Sequence, residues 1–280
     1  MTLMTDKDFD TFFSSYAPQV AGFDEADYWR LSDELIKELV RRHLGLAEGA
    51  RVVDVGGGTG RWGAWMAREF GVRVTIADRS KDMLNEAAAT VASLGLTDLV
   101  DLVACDIHDA PELPTASADA VLSTYGVLSF LDDPQAAFRE VARVMKPGAT
   151  GLLMSHSFSN ALTSKICRDG AGAEELAELG RTRIVKWAPH VPALRVFSTT
   201  DLSELATNAG LEVTGMFGVT ALTMPGPEDF GYPYTTLSTV SQALRDPEYF
   251  RTVLDLELKA SEEPGWAERG VNLMIKVRRP

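Results

Sequence analysis

Apolar residues along the chain follow two alternating rhythms. Between Asp24 and Leu44, the residues Tyr28, Leu31, Leu35 and Leu39 recur at helical spacing with charges between them, so the spacing predicts an amphipathic helix. "RVVDV" (51–55) is a short apolar run that ends in glycines and reads as a buried strand. Arg61 to Phe70 returns to helical spacing, Gly71 stops it, and "VRVTIA" (72–77) alternates as a second strand. Ser80 is placed to cap a helix whose inner face is Leu84, Ala87, Ala88 and Val91. "VDLVAC" (100–105) and "DAVLS" (119–123) read as the third and fourth strands. Asp133 and Pro134 stand in the favoured cap and first-turn positions of a helix with Phe138, Val141, Ala142 and Met145 inward. "KPGA" ends that helix and "TGLLMS" (150–155) is a fifth strand. A helix over Thr200–Ala209 closes at Gly210, and "LEVTGMF" and "VNLMIKV" complete seven strands.

Strands and helices that alternate in this way predict an α/β fold, with a mostly parallel sheet covered on both faces. Two stretches break the rhythm. Residues 156–198 and 218–270 exceed ordinary connections and are expected to be cap insertions on a single domain spanning 1–280. Extra packing helices without ligand contact are the alternative reading of both.

Composition narrows the partners. The chain has 280 residues, enough for one sizeable core. It carries 27 Lys and Arg against 40 Asp and Glu, a net charge of −13, which repels phosphate backbones and speaks against nucleic acid. "VRRHLG" and "KVRRP" are too short to form a basic patch and read as a solvated helix end and a tail. No apolar run reaches the ~18 residues of a membrane span, and "MTLMTDKDFD" does not read as a signal peptide. Two cysteines, Cys105 and Cys167, make neither a disulfide framework nor a metal site. The expectation is a cytoplasmic protein with no metal, no membrane contact and a possible homodimeric state.

The chemistry concentrates in "VVDVGGGTGRWG" (52–63). "GTGRWG" matches the G-x-G-x-x-G of dinucleotide folds, with Asp78 at the ribose distance, and a nicotinamide-dependent oxidoreductase is one reading. Its register is poor, because the strand ends at Val55 and the tight turn should begin at Gly56. Asp54 weighs further. A carboxylate beside the turn opposes a pyrophosphate and suits a cationic ligand such as S-adenosylmethionine, which carries an ammonium and a sulfonium. Gly56, Gly57, Gly58 and Gly60 would let the backbone approach that ligand without Cβ atoms in the way.

"DVGGGTG" resembles the D/E-x-G-x-G-x-G motif of class I S-adenosylmethionine-dependent methyltransferases, and the rest of the chain agrees in order. "CDI" (105–107), "SADAVLSTYGVLSFLDDP" (117–134) and "REVARVMKPGA" (139–149) resemble the later motifs of the ubiquinone/menaquinone-type branch, with Ala149 in place of the second glycine of its "PGG". The resemblance covers roughly residues 45–217 and the last strand. It implies a Rossmann-like seven-stranded sheet in the order 3-2-1-4-5-7-6, with the last strand antiparallel. It also implies S-adenosylmethionine as cofactor. Asp78 would bind both ribose hydroxyls, Asp106 would take the adenine amino group and Ile107 would border the ring. Arg79, Met83 and Thr124 join them as expected cofactor contacts.

Methyl transfer is an in-line displacement at carbon, so much of the protein's task is positioning and the exclusion of water. The acceptor should enter at the carboxyl ends of the fourth and fifth strands, where Tyr125 and His156 are the catalytic candidates. Histidine titrates near neutral pH, which makes His156 the best base. His108 and His190 are weaker candidates. Residues 1–44 would form a helical lid, with Tyr28 reaching the methionine end. "STYG" stands where nucleic-acid amino-methylating enzymes carry an Asn-Pro-Pro-Tyr-type motif, and "EDFGYPYTT" suits an apolar acceptor, so a small-molecule acceptor is expected. A protein of this fold that binds the cofactor without transferring methyl, acting as a lyase, cyclase or scaffold, is the alternative.

Overall fold

The computed structural model describes residues 26–187, 191–230 and 235–280. Helix α1, Asp27–His43, turns Leu31, Leu35, Ile36 and Leu39 inward, as their spacing demands. Strands β1 (Arg51–Val55), β2 (Arg73–Asp78), β3 (Val100–Ala104), β4 (Ala118–Ser123) and β5 (Met145–His156) run parallel. Helices α2 (Arg61–Phe70), α3 (Lys81–Ser93), α4 (Val127–Phe130) and α5 (Pro134–Val144) lie among them in sequence. The first insertion holds α6 (Phe158–Cys167), α7 (Ala173–Thr182) and a two-stranded ribbon of β6 (Ile184–Val185) and β7 (Leu194–Arg195). Helix α8 (Thr199–Asn208) leads into β8 (Glu212–Val219). The second insertion holds α9 (Thr239–Ala243) and α10 (Pro247–Glu262), and β9 (Asn272–Arg278) closes the sheet.

The sheet order is β3-β2-β1-β4-β5-β9-β8, and β9 is antiparallel to both neighbours. This is the expected order, with the last strand slotted between the fifth and sixth. One apolar cluster packs α1, α2, α3 and α10 on one face of the sheet. A second packs α5 and α8 on the other face through Phe138, Val141 and Leu202. The expected caps form. Ser80 Oγ accepts from the Met83 amide, Asp133 from Ala136, and Ser198 and Asp201 close a reciprocal box.

Two local boundaries differ from the sequence reading. Helix α5 ends at Val144, and the Lys146–Ala149 stretch enters β5 through a break in the ladder rather than standing as a free turn. Arg279 donates its amide to the Ala149 carbonyl at 3.0 Å, so the strand partner continues past "KPGA". His156 is consequently the last residue of β5 and not the first residue beyond it.

The second insertion is tied down by buried polar groups. The carboxylate of Glu257, on α10, accepts from the amides of Ala221, Leu222 and Thr223, which holds the start of the second insertion against that helix. Asp229 accepts from the Gly226 amide and from the Ser238 hydroxyl. Among the described residues no helix is long and apolar enough to cross a membrane, and no group of His, Cys, Asp and Glu could hold a metal ion.

Candidate functional site

The glycine turn begins where the sequence register placed it. Strand β1 ends at Val55, and the Gly56 amide donates to the Ala77 carbonyl at 2.7 Å, which stitches the loop to β2. Gly58 has φ +54°, and a Cβ built there would meet nothing nearer than Met83 Sδ at 3.9 Å. The backbone conformation requires glycine, and the space over it is open. Gly57 is a glycine for another reason. A Cβ there would stand 2.8 Å from Asp54 Oδ2 and 2.9 Å from Ile76.

Asp54 therefore lies directly beneath the loop. It is 1% exposed, and neither carboxylate oxygen has a hydrogen-bond partner. The Gly63 amide, in the first turn of α2, is the backbone donor that faces it. Burial, then the charge of Asp78, push this carboxyl up to about 7. An orphaned buried carboxylate is costly in isolation and fits a ligand that brings positive charge to the loop.

Asp78 ends β2 and folds back on the loop. Its Oδ2 accepts from the Gly58 amide at 2.9 Å and its Oδ1 from the Ser80 amide at 2.8 Å. Each oxygen keeps a second acceptor direction, the arrangement a vicinal diol requires. Burial raises its pKa, with the backbone amides opposing. Met83 packs beside Gly58 from the first turn of α3. Asp106 follows β3 and accepts from the His108 amide at 3.0 Å and its ring Nδ1 at 2.7 Å, with Arg79 at 3.6 Å. Desolvation opposes ionisation there, but the His108 hydrogen bonds and the Arg79 charge hold the carboxyl below its ordinary value. Ile107 is buried in the adjoining core. Asp54, the glycines, Asp78, Arg79, Met83, Asp106 and Ile107 thus line the carboxyl ends of β1, β2 and β3 in sequence order. An open glycine cradle, a diol-ready carboxylate and an uncompensated acid fit S-adenosylmethionine better than a dinucleotide, whose pyrophosphate Asp54 would repel.

The acceptor side departs from expectation. Thr124 is buried at the end of β4. Tyr125, next to it, has φ +49°, and its hydroxyl donates to the Asp33 carboxylate and also lies 3.2 Å from Ser32 Oγ. Burial, then the charge of Asp33, hold this phenol well above its ordinary pKa. A phenol already donating to a carboxylate is not available as a base, which corrects the catalytic expectation for Tyr125. Arg61, the first residue of α2, donates to the same Asp33 at 2.6 Å. Tyr28 is likewise redirected. Its side chain is fully buried with Leu31 and Leu244, and its hydroxyl pairs with Thr220 Oγ1 at 2.7 Å, away from the loop. The neighbouring, partly buried Trp29 is the residue that meets Tyr125, edge-on to it and to Phe230. Asp33 sits one helical turn beyond Trp29, a spacing that could have flagged it.

His156 is held at both backbone ends. Its amide donates to Ser129 Oγ at 3.0 Å, and its carbonyl accepts from the Phe197 amide at 2.9 Å. Its Nε2 lies 2.8 Å from where a Cβ of Gly126 would stand, so the ring rests on that glycine. Burial depresses the imidazole to about 4, against the Asn272 side chain, whose oxygen as an acceptor favours the protonated ring and raises it. The expected near-neutral titration is corrected: the ring stays neutral throughout the physiological range. His108 belongs to the Asp106 corner. His190, Tyr232 and Tyr234 of "EDFGYPYTT", and most of the expected 1–44 lid, lie outside the described residues.

Residues 52–148 match a family model described as a methyltransferase domain. The chain is 29% identical over 198 residues to the methyltransferase GfsG of Streptomyces halstedii, covering 66% of this chain and 67% of that protein. It is 26% identical to the tRNA 5-carboxymethoxyuridine methyltransferase of Escherichia coli K12, over 55% of this chain and 58% of that protein. It is 32% identical to a ubiquinone/menaquinone biosynthesis C-methyltransferase of Pseudomonas putida, over 43% of this chain and 48% of that protein. The matches thus span two thirds of the first relative and about half of the others. They extend beyond the quinone branch, which is one relative among several. Among solved structures, the fold is similar to a geranyl diphosphate C-methyltransferase from Streptomyces coelicolor, with a TM-score of 0.58, 16% identity, and coverage of 89% of this chain and 79% of that one. It is also similar to the [4+2]-cyclase SpnF, with a TM-score of 0.55, 22% identity, and coverage of 90% and 80%.

Proposed function

We propose that this chain, which carries a class I S-adenosylmethionine-dependent methyltransferase domain, transfers the methyl group to a small-molecule acceptor. The cofactor supplies the electrophilic methyl and its own leaving group. The chain's residues then bind, orient and exclude water. Gly56 to Gly60 would carry the methionine portion over Asp54, Asp78 the ribose hydroxyls, and Asp106 with Ile107 the adenine.

The acidic balance carries the small-molecule reading. Forty acidic residues against 27 basic ones give a surface that opposes a polyanion. Several arginines are also engaged locally, as Arg41 is with Glu38 and Glu69, and Arg42 with Glu262. Such pairs leave little positive potential to steer a nucleic acid.

His156 stands at the end of β5, on the side where the acceptor is expected. A neutral imidazole accepts a hydrogen bond from an acceptor hydroxyl and orients its lone pair toward the methyl. With a pKa near 4 it holds a proton weakly, so positioning outweighs full proton removal.

Incubation with methyl-labelled S-adenosylmethionine tests the proposal. One arm offers a panel of phenols, carboxylic acids and hydroquinones, and a second offers total tRNA. Label transferred to a member of the panel, with release of S-adenosylhomocysteine, supports the reading. Label on tRNA alone overturns it.

A further inference from the structure

We propose that Asn272 is a positioning residue for His156, fixing the tautomer and the orientation of its imidazole. The proposal rests on the reading of His156 as the acceptor-side group, and it concerns a residue that no local motif marks. Asn272 opens β9 and pairs directly with His156 across the antiparallel β5–β9 ladder. Side chains directly opposite in a ladder share a face of the sheet and stand close enough to touch. Asn272 is 3% exposed, so its amide is confined to protein surroundings. Its buried Oδ1 has no hydrogen-bond partner of ordinary geometry, an expensive state for an amide unless it serves a neighbour, and the His156 ring is the neighbour it acts on.

The surroundings leave the ring few other partners. Gly126 has φ +83°, and any larger residue would collide with Nε2 and Cδ2 of His156. Ser129 Oγ is occupied by the His156 amide. Phe197 contributes only backbone. Among the described residues the Asn272 amide is the side chain that acts on the imidazole, beside burial itself. A neutral imidazole has one N–H and one bare nitrogen, and the hydrogen bond made by one nitrogen decides which is which. An asparagine oxygen facing the ring selects the tautomer with N–H on that side. It leaves the other nitrogen bare for an acceptor hydroxyl. The same pairing also joins the start of β9, beyond the second insertion, to the end of β5, where the first insertion begins, so the ring is aimed by the sheet itself.

The test reads His156 directly. The protein is labelled with ¹⁵N-histidine, and His156 is assigned by loss of its signals in His156→Gln. In the unsubstituted protein the two ring nitrogens should give widely separated shifts of a single neutral tautomer, unchanged down to about pH 5. In Asn272→Leu the two shifts should move toward each other as tautomers mix, and kcat should fall about 10-fold to 100-fold with cofactor affinity retained. In Asn272→Asp, a carboxylate in the same place should keep the tautomer and raise the pH at which the ring titrates. A folded Asn272→Leu protein with unchanged His156 shifts overturns the proposal. So does tautomer mixing in the unsubstituted protein, which needs no variant to fold. If the shifts respond as expected but His156→Ala retains full kcat, the positioning stands and the role given to His156 in methyl transfer falls.

Discussion

Asp33 accepts from the hydroxyl of Tyr125 and from the guanidinium of Arg61 at once. One carboxylate on α1 thereby joins the residue after β4 to the residue after the glycine turn. Tyr125 sits at φ +49°, a conformation that costs energy for a bulky residue and persists where surroundings hold it. Trp29 edge-on, Trp62 at a tilt and the Arg61 guanidinium surround the same ring.

The first prediction follows from that junction. Asp33→Ala leaves a buried phenol and a partly buried guanidinium without their acceptor. It should destabilise the protein by about 1–3 kcal/mol in urea unfolding. Tyr125→Phe keeps the ring and should cost less. Equal stability of Asp33→Ala and the parent protein would show that the carboxylate is only a surface group.

The second prediction concerns the ribose corner. Asp78→Ala removes both acceptors for a diol, each charge-assisted bond contributing roughly 1.5–3 kcal/mol. Cofactor affinity should fall at least about tenfold by calorimetry. Gly58→Val forces a β-branched residue to φ +54° beneath the ligand and should abolish binding in a protein that still folds. Retained affinity in either variant would move the cofactor off this loop.

These positions were legible because their signals are local. A glycine turn after a strand, a carboxylate at the next strand end and a serine cap all lie within short windows of sequence. The acceptor side was not. Tyr28 meets Thr220 at a separation of 192 residues, and Tyr125 meets Asp33 at 92. Helical periodicity told that Tyr28 faces inward, but not which inward neighbour its hydroxyl would find. The depressed titration of His156 depends on enclosure by Gly126 and by the start of β9, which only the closed sheet brings together. The parallel sheet followed from alternation and its strand order from the family resemblance, whereas the extension of β5 back to Met145 depends on its partner strands.

His156 gives the third prediction. Its folded pKa of about 4 lies below the ordinary 6.5 because burial disfavours the cation. Lowering the pH from 6.5 toward 4 protonates this histidine in the unfolded chain first, so its contribution to stability is lost over that window. Activity should show no acid limb near 6.5 from this residue. His156→Ala should lower kcat with cofactor affinity intact. A limb near 6.5 that disappears in the variant would contradict the neutral, enclosed imidazole.

Asp54 gives the last prediction, a link between protons and cofactor. In the ligand-free protein burial and Asp78 raise its carboxyl from 3.8 to about 7. A carboxyl raised by folding contributes its full share below the unfolded value. That share is lost as pH rises through the folded value, so the ligand-free protein should weaken between about pH 4 and 7. A cation over the loop reverses the balance, because positive charge nearby favours the carboxylate. Binding of S-adenosylmethionine near neutral pH should therefore expel a fraction of a proton, and affinity should rise with pH through about 7. Calorimetry in two buffers of different ionisation enthalpy measures the proton count. Asp54→Asn, which cannot ionise, should bind more weakly and with a flat pH profile. Sinefungin, which replaces the sulfonium by an amine-bearing carbon, should expel protons as well, since it also brings positive charge to the loop. Identical heats in both buffers for the parent protein would mean that Asp54 is ionised before the cofactor arrives, and that the cation does not sense it.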